Sequence, residues 1–280
     1  MRPVLPMRSL SGLLAALCSL GSSVVCADDL HPIMTSKYSA KIGGFFAARD
    51  FKASANGSVN GVTQRADFES AVGLDDSPDL FIAEFGWEFG EKWGLGLQRF
   101  SSSRSARKIL QETIDWEGAA YEAGVDITAK SKVAITRLVF SRRYFDDGPH
   151  SLKLLAGVHL IEAGAEISGV ATLDDASTEF RRSAVSASLP VPNIGAWYRY
   201  SPTERWLLSS RVDWFSANIG DFSGGIWNIA VGANFSVTDH VGVGLAYQYF
   251  EIDGAIRESR WRGDLNTRFN GPVLQVSGYW

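Results

Sequence analysis

Hydrophobic residues occur at every second position along most of this chain. In residues 226–236, Trp227 and Ile229 begin an apolar file, and the positions between carry small or polar side chains. Residues 241–252 repeat the pattern, and the short polar segment 237–240 separates the two. Because the side chains of a β-strand alternate between the two faces of a sheet, these segments predict a hairpin of two amphipathic strands.

The same alternation predicts ten strands along the chain. They occupy residues 38–48, 80–89, 93–98, 133–144, 152–160, 194–200, 206–216, 226–236, 241–252 and 271–280. Residues 62–72 could add a strand and 107–115 could extend a hairpin, so eight or twelve strands stay open as alternatives.

The connections between these strands alternate in length. Short turns fall at 90–92, 146–150, 201–205 and 237–240, and longer, mostly polar segments fall at 52–78, 105–125, 170–182, 220–225 and 253–266. Outer-membrane β-barrels have short periplasmic turns and longer external loops. The sequence therefore predicts an all-β fold, a transmembrane antiparallel up-and-down β-barrel of about ten strands with both termini on the periplasmic side.

The N-terminus has the composition of a secretory signal peptide. Arg2 and Arg8 precede an apolar run over residues 10–20, and small residues follow near Ala27. We expect cleavage after Ala27, which leaves residues 28–280 as a single barrel domain. Both cysteines belong to the leader, so the mature domain has no disulfide or cysteine-based site. Its 25 basic and 31 acidic residues argue against nucleic acid as a partner.

Aromatic residues and the C-terminal strand favour a membrane barrel over its soluble alternative, a lipocalin-like barrel or sandwich. Aromatics cluster at strand ends, where amphipathic rings meet the bilayer interface. The chain also ends on Trp280 in an alternating strand, and a terminal edge strand needs the first strand as its partner. These features resemble small single-chain outer-membrane β-barrel proteins of Gram-negative bacteria.

That resemblance carries expectations about biogenesis and location. In this class, the C-terminal strand is similar to an assembly signal read by the barrel-insertion machinery. Leu274, Val276 and Trp280 match its alternation, whereas Gly278 stands where a larger apolar residue is usual. The resemblance implies a monomer in the cell outer membrane, with outer-membrane lipid and the assembly machinery as partners.

Assigning the apolar files to lipid places the opposite files in the lumen. The residues expected to form a charged network there are Lys41, Glu84, Glu88, Arg137, Lys153, His159, Arg199, Arg211 and Asp213. A ten-stranded barrel is only slightly wider than one that side chains fill completely, and buried charges need partners. The interior is therefore either a packed polar core with a structural role or a narrow passive path for small solutes.

The sequence indicates no catalytic residues, cofactor or metal site. Outer-membrane proteases and lipid-modifying enzymes resemble one another in using His with Ser or Asp near the outer rim. Of the four histidines, only His159 falls on a strand, and no nucleophile is placed beside it. The alternatives to a structural or passive-path function are a binding or adhesion module built from segments 52–78, 105–125 and 253–266, and a lipid-modifying enzyme.

Overall fold

The computed structural model describes most of the chain outside the leader. The described residues are 30–46, 48–56, 58–59, 62–63, 66–67, 79–111, 113–116, 119–172, 178–219, 222–257 and 262–280. The expected signal peptide, residues 1–27, lies outside them. In the described part of the chain, no helix is long and apolar enough to cross a membrane.

Ten antiparallel strands form a closed barrel. They are β1 (Tyr38–Phe46), β2 (Asp79–Phe89), β3 (Trp93–Ile109), β4 (Asp126–Asp147), β5 (His150–Thr172), β6 (Thr178–Tyr200), β7 (Trp206–Ile219), β8 (Phe222–Ser236), β9 (Val241–Arg257) and β10 (Arg262–Tyr279). Each pairs with the next in the chain, and β10 pairs with β1 from Ser39↔Tyr279 to Phe45↔Val273. The prediction of a ten-stranded up-and-down barrel is confirmed.

Smaller elements attach to this frame. The strand Ala48–Asn56 follows β1 and pairs with the outer half of β10. The strand Ala66–Asp67 pairs with it, and Ser58–Val59 pairs with Val62–Thr63. The hairpin of Ile114–Trp116 and Ala119–Tyr121 joins the outer end of β5, and a 3-10 helix, Pro32–Met34, precedes β1.

The short turns lie at the same end of the barrel as the start of β1 and the end of β10. Gly90 and Gly148 adopt φ of +60° and +54° in two of these turns, a backbone conformation that favours glycine. The backbone N–H of Tyr38 donates to the Trp280 carbonyl at 2.9 Å, and the backbone N–H of Trp280 donates to the Tyr38 carbonyl at 3.0 Å. Short turns mark the periplasmic end in outer-membrane barrels, so this end is here called the periplasmic end.

A belt of large apolar side chains surrounds the outside of the barrel. Leu245, Leu274 and Ile194 are 56%, 53% and 58% exposed, whereas inward-facing Gln248 and Val273 are at most 2% exposed. A contiguous apolar surface of this kind is a contact surface for lipid and would not face water. The apolar files thus point outward, and the soluble alternative is excluded.

Several strands are longer than the alternation indicates. β4, β5 and β6 have 22, 23 and 23 residues, whereas about 9–11 residues cross the membrane. Strand structure continues into 105–125, 170–182 and 253–266, which the sequence predicts to be loops. Beyond the lipid belt the outward file is mostly polar because it no longer faces lipid, yet backbone pairing continues.

Candidate functional site

The nine charged or titratable residues expected in the lumen all lie on the inward-facing files. They form the charged layer, which fills the periplasmic half of the barrel interior. Lys153, His159, Arg199 and Asp213 are at most 3% exposed. Burying charges at this level requires that most of them be paired, so their contacts define the chemistry of the layer.

An ion pair between Arg137 and Asp213 crosses the barrel interior. Arg137 Nη2 lies 2.7 Å from Asp213 Oδ1, although β4 and β7 are not neighbours in the sheet. Asn228 Nδ2 donates to the other Asp213 oxygen at 3.0 Å, and Gln248 donates to Asn228 at 3.0 Å. This chain of contacts ties four strands together through the lumen.

Glu84 forms the second centre of the charged layer. Lys41 Nζ and Arg211 Nη1 lie 3.2 and 3.6 Å from its carboxylate oxygens. Gln98 donates a hydrogen bond to the same carboxylate and accepts one from Arg211 Nη2 at 3.2 Å. One carboxylate thus pairs with two cations and accepts hydrogen bonds from Lys41 and the Gln98 amide.

A third group of charges lies closest to the periplasm. Lys153 pairs with Glu88, and Arg143 lies 3.9 Å from Glu88 and 2.6 Å from Asp146. The sequence analysis did not include Arg143 and Asp146, because they come from the end of β4, where a register shift between Arg143 and Phe145 interrupts the alternation.

Two residues of the charged layer stand apart from these ion pairs. His159 is fully buried beside its cross-strand neighbour Arg137, and within the described residues its ring nitrogens have no hydrogen-bond partner. Glu162, near it in sequence, faces outward and pairs with Arg99. Arg199 lies with its guanidinium carbon 5.0 Å from the Trp197 ring and donates to the Ile33 carbonyl at 3.5 Å.

An apolar layer, here called the septum, closes the lumen directly above the charged layer. Its buried members are Phe45, Ile82, Phe100, Val133, Ile135, Ile161, Val191, Ile226, Phe250, Ile252, Phe269 and Val273. Phe215 of β7 packs against them, so every barrel strand contributes. Phe100 contacts the rings of Phe250 and Phe269 edge-on, with centroids 5.2 and 6.3 Å apart.

The septum corrects the expectation of an interior that is polar throughout. All twelve buried members are at most 5% exposed, so these residues enclose no water-filled passage. The sequence contains a signal that could have revealed it. At Phe45-Phe46 and Tyr249-Phe250, adjacent positions are both aromatic, so the inward file becomes apolar as well.

Residues 30–37 enter the periplasmic mouth and form the plug. The backbone N–H of His31 donates to Ser201 Oγ at 2.8 Å, and its Nε2 lies 3.1 Å from Asn234 Oδ1. His31 also packs edge-on against Tyr279, at a centroid distance of 5.3 Å. The sequence analysis placed His31 before the first strand but did not predict that it turns back into the barrel.

The plug gives His31 a defined neutral form. The Ile33 N–H donates to Nδ1 at 3.2 Å, so Nδ1 is the acceptor and Nε2 carries the proton. Burial lowers the pKa of His31 from 6.5 to about 4; the Asn234 bond opposes this shift, and the charges of Arg199 and Lys41 add to it.

Comparison with solved structures supports the fold. The chain is similar to the outer membrane protease OmpT from Escherichia coli, with a TM-score of 0.55 and 10% identity over 92% of this chain and 99% of that chain. The chain therefore has the fold of the small outer-membrane β-barrel proteins. No protein-family model and no curated protein sequence matches it.

Other barrels match less closely. The toluene transporter TodX from Pseudomonas putida covers 89% of this outer-membrane barrel and 92% of its own length, at 10% identity and a TM-score of 0.38. OprG from Pseudomonas aeruginosa covers 88% and 98%, at 12% identity and a TM-score of 0.36.

Aromatic side chains mark both edges of the lipid belt of this outer-membrane barrel. At the periplasmic edge, Tyr38 stacks on Trp280 with centroids 6.2 Å apart, and Trp206 lies 5.0 Å from Phe235. At the outer edge, Trp214 lies 6.2 Å from Trp227. Leu274, Val276 and Trp280, the residues of the expected assembly signal, all face outward into the belt.

Proposed function

We propose that this protein is a closed, non-conducting outer-membrane scaffold that displays a binding surface outside the cell. The septum is the observation that carries the proposal. Because all ten strands contribute apolar side chains to it, a solute would have to displace packed aromatic rings to pass. The interior supports a structural role in preference to a narrow passive path.

The outer halves of β3–β6 supply the proposed binding surface, here called the extension. They comprise residues 101–109, 126–134, 162–172 and 178–189. A separate apolar cluster that includes Leu110, Tyr121 and Ile127 packs at the outer end of β3–β5. Such a core favours a preformed surface over flexible loops, and preformed surfaces lose less entropy on binding.

The outward face of the extension is suited to an aqueous partner. Arg107 forms an exposed ion pair with Asp126 at 2.5 Å, and Lys130 lies 3.5 Å from Glu166. Two large apolar side chains, Val170 and Phe180, face each other across β5 and β6 and are 41% and 74% exposed. Charged groups around an exposed apolar pair are typical of surfaces that bind macromolecules.

The proposal contains no catalytic step. The four histidines support this choice, because His31 lies in the plug, His150 and His240 lie at periplasmic turns and His159 lies under the septum. No histidine of the sequence is therefore available at the outer rim as a general base. A protease or lipid-modifying activity would need another type of base.

Planar-bilayer recording tests the closed lumen. Refolded protein should produce no stepwise current over a range of voltages, whereas a general porin recorded in parallel should conduct. Stepwise currents from the unmodified protein would favour the passive path and contradict the scaffold proposal.

Shortening the extension tests the binding surface. Ser103 and Lys132 are cross-strand partners, so residues 104–131 can be replaced by an Asn-Gly turn between them. Bacteria displaying the original or the shortened protein are then compared for attachment to immobilised matrix proteins and polysaccharides. We expect only the original to support attachment, while both proteins show the same heat-dependent gel mobility of a folded barrel. Equal attachment by both would contradict the assignment of binding to the extension.

A further inference from the structure

The lumen below the septum contains more positive than negative charge. Among the described residues of the charged layer, the cations are Lys41, Arg137, Lys153, Arg199 and Arg211, and the carboxylates are Glu84, Glu88 and Asp213. Arg143 and Asp146 at the periplasmic edge add one charge of each sign, so the excess of positive charge stays the same. Two positive charges therefore lack an internal counter-charge, in surroundings where uncompensated charge is costly.

Arg199 is the cation that the protein leaves without a carboxylate. The other four lumenal cations each form an ion pair, but no carboxylate of the described residues pairs with Arg199. Its side chain is buried, its Nε has no hydrogen-bond partner, and its Nη1 makes only the 3.5 Å bond to the Ile33 carbonyl. A guanidinium has five N–H donors, so the Nε–H of Arg199 is available to a further acceptor.

A small cavity adjoins this arginine. Its volume is about 50 Å³, enough for a few water molecules or one small ion. The charged groups that line it are Lys41, Arg137, Arg199, Arg211, Glu84 and Glu88. Ser39 and Ser141 also line it and supply hydroxyl donors. Water alone could fill this space but would not balance its charge.

The cavity lies on the periplasmic side of the septum, next to the periplasmic mouth. A wider cavity of about 590 Å³ opens at the periplasmic mouth beside Gly90 and Gly148. The two cavities share Ser36 and Glu88 in their walls. The septum closes the opposite side, so an ion that enters from the periplasm must leave the same way.

We propose that this cavity is a binding site for a small inorganic anion, of the size of a halide or phosphate, with Arg199 as its principal ligand. The site is filled from the periplasm, and the anion supplies the negative charge that the lumen lacks. Charge-assisted hydrogen bonds from the guanidinium and from serine hydroxyls hold the ion. The site retains the anion and does not transport it across the membrane. The anion site does not require that the extension bind a partner.

Iodide quenching of Trp197 is the direct test, because this indole borders the cavity and lies against Arg199. The full mature protein is refolded in detergent, and fluorescence is measured at constant ionic strength with iodide replacing an inert anion. Subtracting the signal of a Trp197→Phe variant isolates Trp197 from the other eight tryptophans. We expect the Trp197 component to show saturable quenching by iodide but none by caesium, and added inorganic phosphate to shift the iodide curve to higher concentration.

Two variants separate the site from general charge effects. Arg199→Gln should weaken iodide binding about tenfold or more, since it removes a charge-assisted contact. Arg205→Gln removes an exposed arginine of a periplasmic turn and should leave the curve unchanged. If Arg199→Gln does not refold, Arg199→Lys keeps the charge and should bind iodide more weakly than the original but still saturably. Linear quenching that is the same in the original protein and the Arg199 variants, or equal quenching by caesium, would overturn the proposal.

Discussion

The charged layer and the septum fill the same barrel at neighbouring levels, but by opposite physical means. Along β3, β4 and β5, Phe100, Ile135 and Ile161 are cross-strand partners in the septum, and two positions nearer the periplasm Gln98, Arg137 and His159 align in the charged layer. Both levels are almost completely buried. The septum needs only apolar volume, whereas the charged layer needs a particular partner for each group.

This difference indicates how each level contributes to the protein. Removing one member of a buried ion pair leaves the other charge uncompensated, so the charged layer should be sensitive to chemistry. Packed apolar residues tolerate changes that preserve volume, so the septum should be sensitive mainly to size. The charged layer thus specifies which strands meet across the lumen, and the septum seals it.

The largest effect is expected from Asp213→Ala. The substitution leaves buried Arg137 without its carboxylate and removes the acceptor of Asn228, so it should reduce the free energy of unfolding by about 3–5 kcal/mol. Urea unfolding in phospholipid vesicles, followed by tryptophan fluorescence, measures this change. The matched control is Asp126→Ala, whose partner Arg107 has an exposed side chain and whose loss should change stability much less, because solvent screens the pair. Equal effects of the two substitutions would show that burial does not govern these pairs.

A smaller loss of stability is expected from Gly195→Ala, because the charged layer leaves no room there for one methyl group. A Cβ at Gly195 would lie 2.4 Å from the Val212 carbonyl oxygen and 2.5 Å from Asp213 Oδ1. Gly195→Ala should therefore displace β7 and cost about 1–3 kcal/mol in the same unfolding measurement. At Gly44 on the lipid face, the nearest atoms would lie 3.6 Å away, so Gly44→Ala should be tolerated. A loss at Gly44 equal to that at Gly195 would contradict the packing argument.

The septum should respond less to a change of shape at constant volume. Ile135 is fully buried, and Ile135→Leu keeps its atoms while moving one methyl group. The free energy of unfolding should fall by about 1 kcal/mol, and planar-bilayer recording should still show no stepwise current. A loss as large as that of Asp213→Ala would show that the septum is as demanding of chemistry as the charged layer.

A pH dependence of stability is expected to arise in the plug. The pKa of His31 is about 4 in the folded protein and near 6.5 when the chain unfolds, so the unfolded state binds the extra proton between these values. The contribution of His31 to stability is complete above about pH 6.5 and is lost as the pH falls towards 4. We expect the urea midpoint to fall between pH 7.5 and pH 5, and to fall less in His31→Gln. An identical pH dependence in both proteins would exclude His31 as its source.

The sequence was sufficient for the frame of the barrel and for the members of the charged layer. Strands such as β8 and β9 contact lipid on one face and a polar lumen on the other, so alternation of side chains reports both their existence and their orientation. Lys41, Arg137 and Asp213 were assigned to the lumen on that basis. Their pairing was not predicted, because Arg137 and Asp213 meet across the barrel and no local pattern encodes that contact.

The features that sequence reasoning missed share a physical cause. In the septum both faces are apolar, as at Phe45 and Phe46. In the extension the inward file joins the apolar cluster around Ile127 and the outward file is mostly polar, so the pattern of a lipid-facing strand ends while the strand continues. Residues 30–37 have no periodic pattern, and the plug is held by residues 170 and 203 positions away from His31. The pattern in a single sequence detects the contrast between lipid and a polar lumen, and it gives no signal where that contrast ends.

The contacts of His31 also have a consequence for the order of assembly. Its segment precedes all ten strands in the chain, but Ser201 follows β6, Asn234 belongs to β8 and Tyr279 belongs to the closing strand β10. The N-terminal segment therefore cannot reach its docked position until the final strand has arrived. A docked plug therefore indicates that the barrel has closed. Limited proteolysis from the periplasmic side could follow the protection of residues 30–37 over time.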